Sequence, residues 1–158
     1  MAEAGGWGRE VLRAPDGLAD TIAAGIWRGV ARRLIDEGQA VLAELPLTNG
    51  RRADLIAIDR GGLITIVEIK SCRADFVADR KWQAYLGFCD RFYFAVDRDF
   101  PQALLPVGEG LIVADRFAGE IVRAAPLRPL AAARRKAMLL RFARAAGQRL
   151  HALLDPRL

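Results

Sequence analysis

Three charged residues interrupt two strongly apolar segments of the chain. Asp54 falls within the segment 53–59, while Glu68 and Lys70 fall within the segment 63–70, and Arg60-Gly61-Gly62 separates the two. Segments that are apolar on both faces are typical of strands in the middle of a covered sheet. A charge at such a place is costly unless another group compensates it. The three residues are therefore the first candidates for a functional site.

The loop between these segments decides whether the carboxylates meet. A three-residue loop, Arg60 to Gly62, pairs Asp59 with Leu63 and places Asp54 directly opposite Glu68. Their Cβ atoms would then lie about 4.5–5.5 Å apart. Lys70 would lie on the face that carries Glu68, because side chains alternate along a strand. A two-residue loop would shift the register by one and separate the carboxylates.

Two facing carboxylates repel each other, so they need a shared proton or a cation between them. Carboxylate oxygens suit Mg²⁺ or Mn²⁺, and such an ion can polarise a phosphoryl oxygen and help to generate hydroxide. Lys70 could orient the attacking water or stabilise developing negative charge. The chemistry would be metal-assisted phosphodiester hydrolysis. An ion-paired Asp–Lys–Glu cluster with no catalytic role is the alternative, and the spacing leaves both open.

Other polar residues near these segments are weaker candidates. Glu44 ends the preceding strand and could supply a third metal-binding carboxylate, although a lone acid is more often solvated. Arg51 and Arg52 would contact phosphate if the site exists, and otherwise belong to a soluble loop. Lys81 and Tyr85 are one helical turn apart in a predicted helix 79–89 and could reach the DNA backbone, or could have ordinary placements. Aromatic residues nearby are favoured as core: Trp82, Tyr85, Phe92 and Phe94.

The surrounding pattern predicts an α/β domain. A helix is expected from an N-cap at Asp16 to a stop at Gly38, with a stripe formed by Leu18, Ile22, Ile26, Val30 and Leu34 beside Trp27. Strands are expected over 40–45 and 91–96, and a hairpin from 111–114 to 121–124. A final helix, 130–154, has an apolar stripe composed of Leu139, Phe142, Ala143, Ala146, Leu150 and Leu153.

Length and composition fit one domain of 158 residues, with 53% hydrophobic residues. We expect a flexible N-terminus over 1–15 and a single domain over 16–158. No apolar run approaches a membrane span, and the first 13 residues hold no signal-peptide stretch, so a cytoplasmic protein is expected. Two cysteines suit a reducing compartment. The single histidine excludes zinc sites that need two.

The positive charge of the chain is concentrated at its C-terminus. The net charge is +5, and residues 134–158 contain seven basic residues and one acid. This distribution indicates a polyanionic partner, most often nucleic acid. Arg134, Arg141 and Arg144 are predicted to point away from the apolar stripe of the last helix and to contact DNA. A solvated helix face is the alternative.

Two sets of residues resemble known families. The run Arg51-Arg52-Ala53-Asp54 followed by Ile66-Val67-Glu68-Ile69-Lys70-Ser71 resembles the PD-(D/E)XK nuclease superfamily, which includes restriction endonucleases and archaeal Holliday-junction resolvases. A longer set resembles the bacterial MmcB-like DNA repair proteins over roughly residues 17–150. It consists of Asp75-Phe76, Asp79 to Trp82, Tyr85, Cys89 to Val96 and Ala133 to Ala137.

The resemblance implies a restriction-endonuclease-like core, a central mixed sheet flanked by helices. It implies that Asp54 and Glu68 bind Mg²⁺ or Mn²⁺ and that Lys70 assists hydrolysis by a DNA endonuclease. Lys81 and Tyr85 resemble the motif that follows the core in helicase-associated nucleases. Relatives in the superfamily often act as homodimers, and other repair proteins are further expected partners.

The resemblance has one gap, and three functions remain open. Many members carry a glutamate in the first helix, where this chain offers only Asp20, Asp36 and Glu37, with Glu44 outside it. The protein could be a metal-dependent nuclease, a DNA-binding repair accessory with little catalysis, or an interaction domain whose acidic cluster is an ion pair.

Overall fold

A computed structural model describes residues 21–78 and 81–156 of the chain. Its elements are α1 (Ile22–Asp36), β1 (Ala40–Pro46), β2 (Arg52–Ile58), β3 (Ile64–Ile69), α2 (Arg73–Ala78), β4 (Arg91–Val96), β5 (Gly110–Ala114), β6 (Gly119–Arg123) and α3 (Ala132–Leu154). Two 3₁₀ helices, Trp82–Phe88 and Gln102–Leu104, lie on either side of β4. The predicted flexible segment 1–15 lies outside the described residues.

The six strands form one mixed sheet in the order β1-β2-β3-β4-β5-β6. The pairs β3/β4 and β4/β5 are parallel, and the other three pairs are antiparallel. α1 packs on one face, while α3 and the 3₁₀ helix 82–88 pack against the other. The strands β3 and β4 are therefore covered on both faces, as their apolar sequences predict. The predicted α/β class, a mixed sheet flanked by helices, is confirmed.

α1 buries the stripe that the sequence predicts, with a different start. Ile26, Val30 and Leu34 are at most 1% exposed, whereas Ile22 is 57% exposed. Thr21 is the N-cap, because its side-chain oxygen accepts a hydrogen bond from the Ala24 N–H. The prediction of Asp16 as the cap of this helix was wrong, and Asp16 itself lies outside the described residues. Gly38 follows the helix at φ 79°, as expected of a helix stop.

Gly29 sets the distance between α1 and the turn that joins β5 to β6. A Cβ added there would lie 2.2 Å from the Asp115 carbonyl oxygen and 2.4 Å from that of Ala118. We expect Gly29→Ala to destabilise the protein by about 1–3 kcal/mol, because backbone on both sides must move. Chemical denaturation measures this loss.

Gly25 provides the matched control for that substitution. It lies one turn earlier in α1, and its added Cβ would make only an ordinary contact, 3.5 Å from the Arg116 nitrogen. Gly25→Ala should be neutral or stabilising by up to about 1 kcal/mol, because alanine favours the helix. Equal effects of the two substitutions would contradict the close packing at Gly29.

The β2–β3 hairpin has the predicted three-residue loop. The Asp59 N–H donates to the Leu63 carbonyl at 3.1 Å, and the Asp59 carboxylate accepts from the Gly61 and Leu63 N–H groups. Gly62 takes φ 85°, which glycine adopts readily. Leu55 pairs with Val67, and the next position along each strand brings Asp54 opposite Glu68. The predicted register is therefore confirmed.

Two predicted elements differ from the structure. The helix expected over 79–89 is instead the 3₁₀ helix Trp82–Phe88, and Asp79 and Arg80 lie outside the described residues. The last strand begins at Gly119 rather than at residue 121, because the Asp115 carboxylate closes a tight turn by accepting from the Phe117 and Ala118 N–H groups.

The C-terminal helix docks by a shorter stripe than the sequence predicts. Met138 is buried, and Leu139, Phe142 and Ala145 pack against the core. The predicted stripe residues Ala143, Leu150 and Leu153 are exposed, so those predictions were wrong. Every residue from Gly147 to the end of α3 is exposed among the described parts of the chain. Within the described ranges, no helix is long and apolar enough to cross a membrane.

Candidate metal-binding and nucleic-acid site

Asp54 and Glu68 lie side by side on the two central antiparallel strands. The Asp54 Oδ2 atom accepts a hydrogen bond of 2.8 Å from the Ile69 N–H, across the β2–β3 pair. Asp54 is half-buried, and Glu68 is 5% exposed. The β3 backbone thus holds the Asp54 carboxylate in place, and the second carboxylate, Glu68, is a residue of β3.

Lys70 lies at the end of β3, on the face that carries Glu68. Its Nζ atom is 3.2 Å from the Glu68 Oε1 atom, and the lysine is 4% exposed. The Lys70 N–H donates to the Ala95 carbonyl on β4, which fixes the lysine backbone against the sheet. The predicted cluster of Asp54, Glu68 and Lys70 is therefore assembled in the fold, with a buried ion pair at its centre.

The pKa of Asp54 reflects the burial of its charge in the cluster. Burial raises the pKa of this carboxyl above its ordinary value, against the Ile69 N–H, the Lys70 charge, a hydrogen bond with Glu68 and the Arg52 charge, which lower it. A carboxyl whose pKa is raised by burial gains by binding a cation, because the cation restores the stabilisation that water would give to the anion.

Glu44 lies across from Asp54 on β1, but its backbone is irregular. Ala43 pairs with Leu55 and Leu45 with Ala53, so the pairing of the neighbours places Glu44 opposite Asp54. Glu44 itself has φ 48°, a left-handed conformation that costs free energy for a residue with a side chain. Its Oε1 atom lies 3.4 Å from the Arg52 Nη2 atom.

The carboxylates form a pair rather than a triad. Across residues 21–78 and 81–156, no group of three or more His, Cys, Asp or Glu side chains is close enough to hold a metal ion. Asp54 and Glu68 still fit a hard cation, because Mg²⁺ is commonly held by one or two carboxylates and keeps several waters. The role of Glu44 as a metal ligand stays a prediction.

Tyr85 is buried beside the carboxylates and not on the surface. It is 3% exposed, its ring stacks on Phe92, and its hydroxyl donates to the Arg52 carbonyl at 3.0 Å. Burial, with the charge of Glu68 as a second cause, raises its pKa to about 12, so the hydroxyl stays a donor at neutral pH. Tyr85 therefore positions the start of β2, and its placement does not support the predicted contact with DNA.

Three basic residues were predicted to contact phosphate beside the cluster, and the structure gives each a different environment. The Arg51 guanidinium lies over the Tyr85 ring, 5.4 Å from its centroid. Arg52 is exposed apart from its contact with Glu44, and Lys81 is an exposed residue directly before the 3₁₀ helix 82–88. A surface of this kind suits phosphate contacts, which stay a prediction for all three.

The arginines of α3 are used differently from what the charge pattern predicts. Arg141 donates to the Pro46 carbonyl at 3.0 Å, so it points toward the sheet and not away from it. Arg134 lies over the Phe88 ring, 4.8 Å from its centroid. Arg144 is exposed, as predicted. Arg134 is exposed as well, so the prediction of an outward position was wrong for Arg141 alone, and contact with DNA stays a prediction for all three residues.

Two further arginines of α3 were not singled out by the sequence reasoning. Arg149 donates to the Ala43 and Glu44 carbonyls, at the irregular position of β1. Arg135 binds the buried carboxylate of Asp90 through both terminal nitrogens, at 2.6 and 2.7 Å. Their spacing could have indicated these contacts with the rest of the fold. Arg135, Arg141 and Arg149 lie on the side of α3 that carries Met138 and Phe142.

The fold and the site together define an α/β domain whose central strands carry a carboxylate pair and a buried lysine. The family model of DNA repair proteins described as MmcB-like matches residues 12–157. The chain belongs to this MmcB-like family. A solved structure, the "SPO1766 protein of unknown function from Silicibacter pomeroyi", is similar, with 46% identity and a TM-score of 0.84, over 88% of this chain and 95% of that one. A comparison with curated proteins gives no match.

Proposed function

We propose that this DNA repair protein is a metal-dependent endonuclease that hydrolyses DNA phosphodiester bonds. The observation that carries the proposal is the placement of Asp54 opposite Glu68, with Lys70 at 3.2 Å from Glu68, on strands that are otherwise apolar. Charged groups at such a place are costly, and functional sites are where that cost is commonly met. The resemblance to the PD-(D/E)XK superfamily supports the same assignment.

Each residue of the cluster has a distinct role in this proposal. Asp54 and Glu68 would hold Mg²⁺ or Mn²⁺. The ion, when bound, would polarise the scissile phosphoryl group and lower the pKa of a bound water. Lys70 would orient the attacking water or stabilise the negative charge that develops on the phosphoryl oxygens. Arg51, Arg52 and Lys81 would hold the DNA backbone beside the cluster.

A DNA-binding accessory with little catalysis is the second candidate, and one observation favours it. Glu68 and Lys70 are at most 5% exposed, so a phosphate can reach them only if the cover moves. α2 is the nearest candidate for that movement, because its Phe76 ring packs edge-on against Phe94, which pairs with Glu68 in the sheet. α2 has no buried residue, so its displacement would cost little.

The test is cleavage of a panel of labelled DNAs: duplex, single-stranded, junction and flap substrates with Mg²⁺, Mn²⁺ or EDTA. The nuclease proposal expects metal-dependent cutting that Asp54→Asn abolishes, because the substitution removes a metal ligand. Asp99→Asn, on the exposed connection after β4, is the matched control and should cut normally.

Absence of cleavage on every substrate would contradict the nuclease proposal. The accessory would then be supported by DNA binding that persists in EDTA, with the logarithm of the affinity falling linearly with the logarithm of the salt concentration. If the protein neither cuts nor binds DNA, both candidates fail.

A further inference from the structure

α3 carries an exposed apolar stripe on a side that does not face the sheet. Leu140, Leu150 and Leu154 are 54%, 47% and 70% exposed. Ala143 and Gly147 lie between them and are exposed as well, and a Cβ added at Gly147 would meet nothing within 4 Å. The docked side of the helix, with Met138 and Phe142, lies about two fifths of a turn away by the 3.6-residue helical repeat.

The spacing of this stripe is that of a helix–helix seam. Its five members follow one another at intervals of three, four, three and four residues, which is the 3.5-residue repeat of paired helices. Docking of α3 on its own sheet does not require this repeat, because other residues make that contact. The repeat runs to Leu154, the last residue of α3, which is 70% exposed.

We propose that α3 pairs in antiparallel fashion with α3 of a second copy of this chain. In an antiparallel pair with this repeat, Ala143 faces Leu154 of the second copy, and Gly147 faces Leu150 of the second copy. The two-fold axis generates the same two contacts in reverse. Each of the four layers then combines one leucine with one small residue, so the stripe is complementary in size to itself.

The charges near the stripe permit this pairing. Arg141 and Arg149 turn back to carbonyl groups of β1, so their charges lie away from the stripe. Arg144 and Asp155 are exposed near its two ends, and antiparallel pairing brings the ends together with opposite charges. A shallow groove beside the stripe, with Leu130 and Leu139 in its lining, extends the apolar surface toward the start of α3.

Sedimentation equilibrium of the full chain tests the proposal. The wild type should form a dimer that dissociates on dilution, and Leu150→Glu should weaken the dimer at least about tenfold, since a carboxylate would face Gly147 of the second copy. Gln148→Glu makes the same charge change on the same helix outside the stripe, and should leave the dimer intact. A wild type that is monomeric at every concentration, or equal effects of the two substitutions, would overturn the proposal.

Exchanging the large and the small residue of one facing pair tests which residues of the two helices meet. Ala143→Leu alone should weaken the dimer, because two leucines would then meet in each outer layer. Adding Leu154→Ala should restore it, because the layer again holds one large and one small residue. Failure of the double variant to recover dimerisation, with a folded protein by circular dichroism, would overturn the assigned register.

Cross-linking tests the direction of the two helices. Residues 143 and 154 of one helix are about 16 Å apart, which is too far for an intrachain disulfide. In a Cys72→Ser background, Ala143→Cys with Leu154→Cys should form disulfide-linked dimers, and Ala143→Cys alone should not. Efficient linkage by Ala143→Cys alone would indicate parallel helices and would overturn the antiparallel arrangement.

Discussion

Replacing Glu68 by Gln should reduce DNA cleavage about a thousandfold while leaving DNA binding within a few-fold of the wild type. The substitution keeps the shape of the side chain and removes the negative charge that would hold the metal ion. Loss of one preorganised electrostatic group in an active site costs about 10²–10³ in rate, and loss of a metal ligand acts in the same direction. Single-turnover cleavage and DNA binding in EDTA measure the two effects separately.

The same substitution also removes the carboxylate that lies 3.2 Å from the buried Lys70, and the resulting loss of stability must be separated from the loss of catalysis. Removal of one partner of a buried ion pair destabilises a protein by about 3–5 kcal/mol, whereas replacement of both partners is often neutral. We therefore expect the double variant Glu68→Gln with Lys70→Met to recover stability and remain inactive. Urea denaturation beside the cleavage assay distinguishes the two outcomes.

Glu120→Gln on the edge strand β6 is the matched control, because it makes the same chemical change at an exposed position. It should change neither cleavage nor stability. Cleavage by the double variant at the wild-type rate would show that the cluster is only an ion pair. Equal loss of binding and cleavage in a folded Glu68→Gln protein would also count against a catalytic role.

The relation between Asp54 and Glu68 was predictable because it depends on one loop. The length of the Arg60–Gly62 loop fixes the register of the hairpin, and alternation then fixes the face of Lys70. The geometry of Glu44 was not predictable from such rules. Glu44 has a left-handed φ, and its neighbours Ala43 and Leu45 pack on opposite faces of the sheet. A sequence pattern assumes strict alternation of faces, so it does not predict this geometry.

The 3₁₀ helix was predictable in principle. Trp82, Tyr85 and Phe88 recur every third residue and all pack into the core, which matches three residues per turn rather than 3.6.

The partners of the arginines in α3 were not predictable from the sequence. Their charge indicates a polyanionic partner, but Arg135, Arg141 and Arg149 instead bind groups of the sheet that are distant in sequence. Such long-range partners leave no local pattern in the sequence.

Replacing Asp90 by Asn should destabilise the protein by about 3–5 kcal/mol, a large part of the 5–15 kcal/mol that stabilises a typical domain. The Asp90 side chain is fully buried. Its carboxylate accepts hydrogen bonds from the Ile64 and Leu130 N–H groups, both at 2.8 Å, and from Arg135. It thus joins the start of β3 to the start of α3. Asparagine loses the ion pair and turns an amide group toward a donor.

The pH dependence of this effect has a defined sign. Burial acts to raise the pKa of Asp90, but the hydrogen bonds from Arg135 and from the Ile64 and Leu130 N–H groups prevail and hold it below the ordinary value of 3.8. Because the folded state binds this proton less readily than the unfolded state, the contribution is fully present above 3.8. It is lost as the pH falls through the lower folded pKa.

The stability difference between the wild type and Asp90→Asn should therefore be constant near neutral pH and shrink as the solution is acidified below about pH 4. Urea denaturation across this range measures it. Asp155→Asn, at the exposed end of α3, is the control and should follow the wild type. A difference that grew on acidification would mean that Asp90 is protonated in the folded protein, and that the contact with Arg135 does not hold α3 to the sheet. The same helix also contacts β1, the strand that pairs with the Asp54 strand, through Arg141 and Arg149.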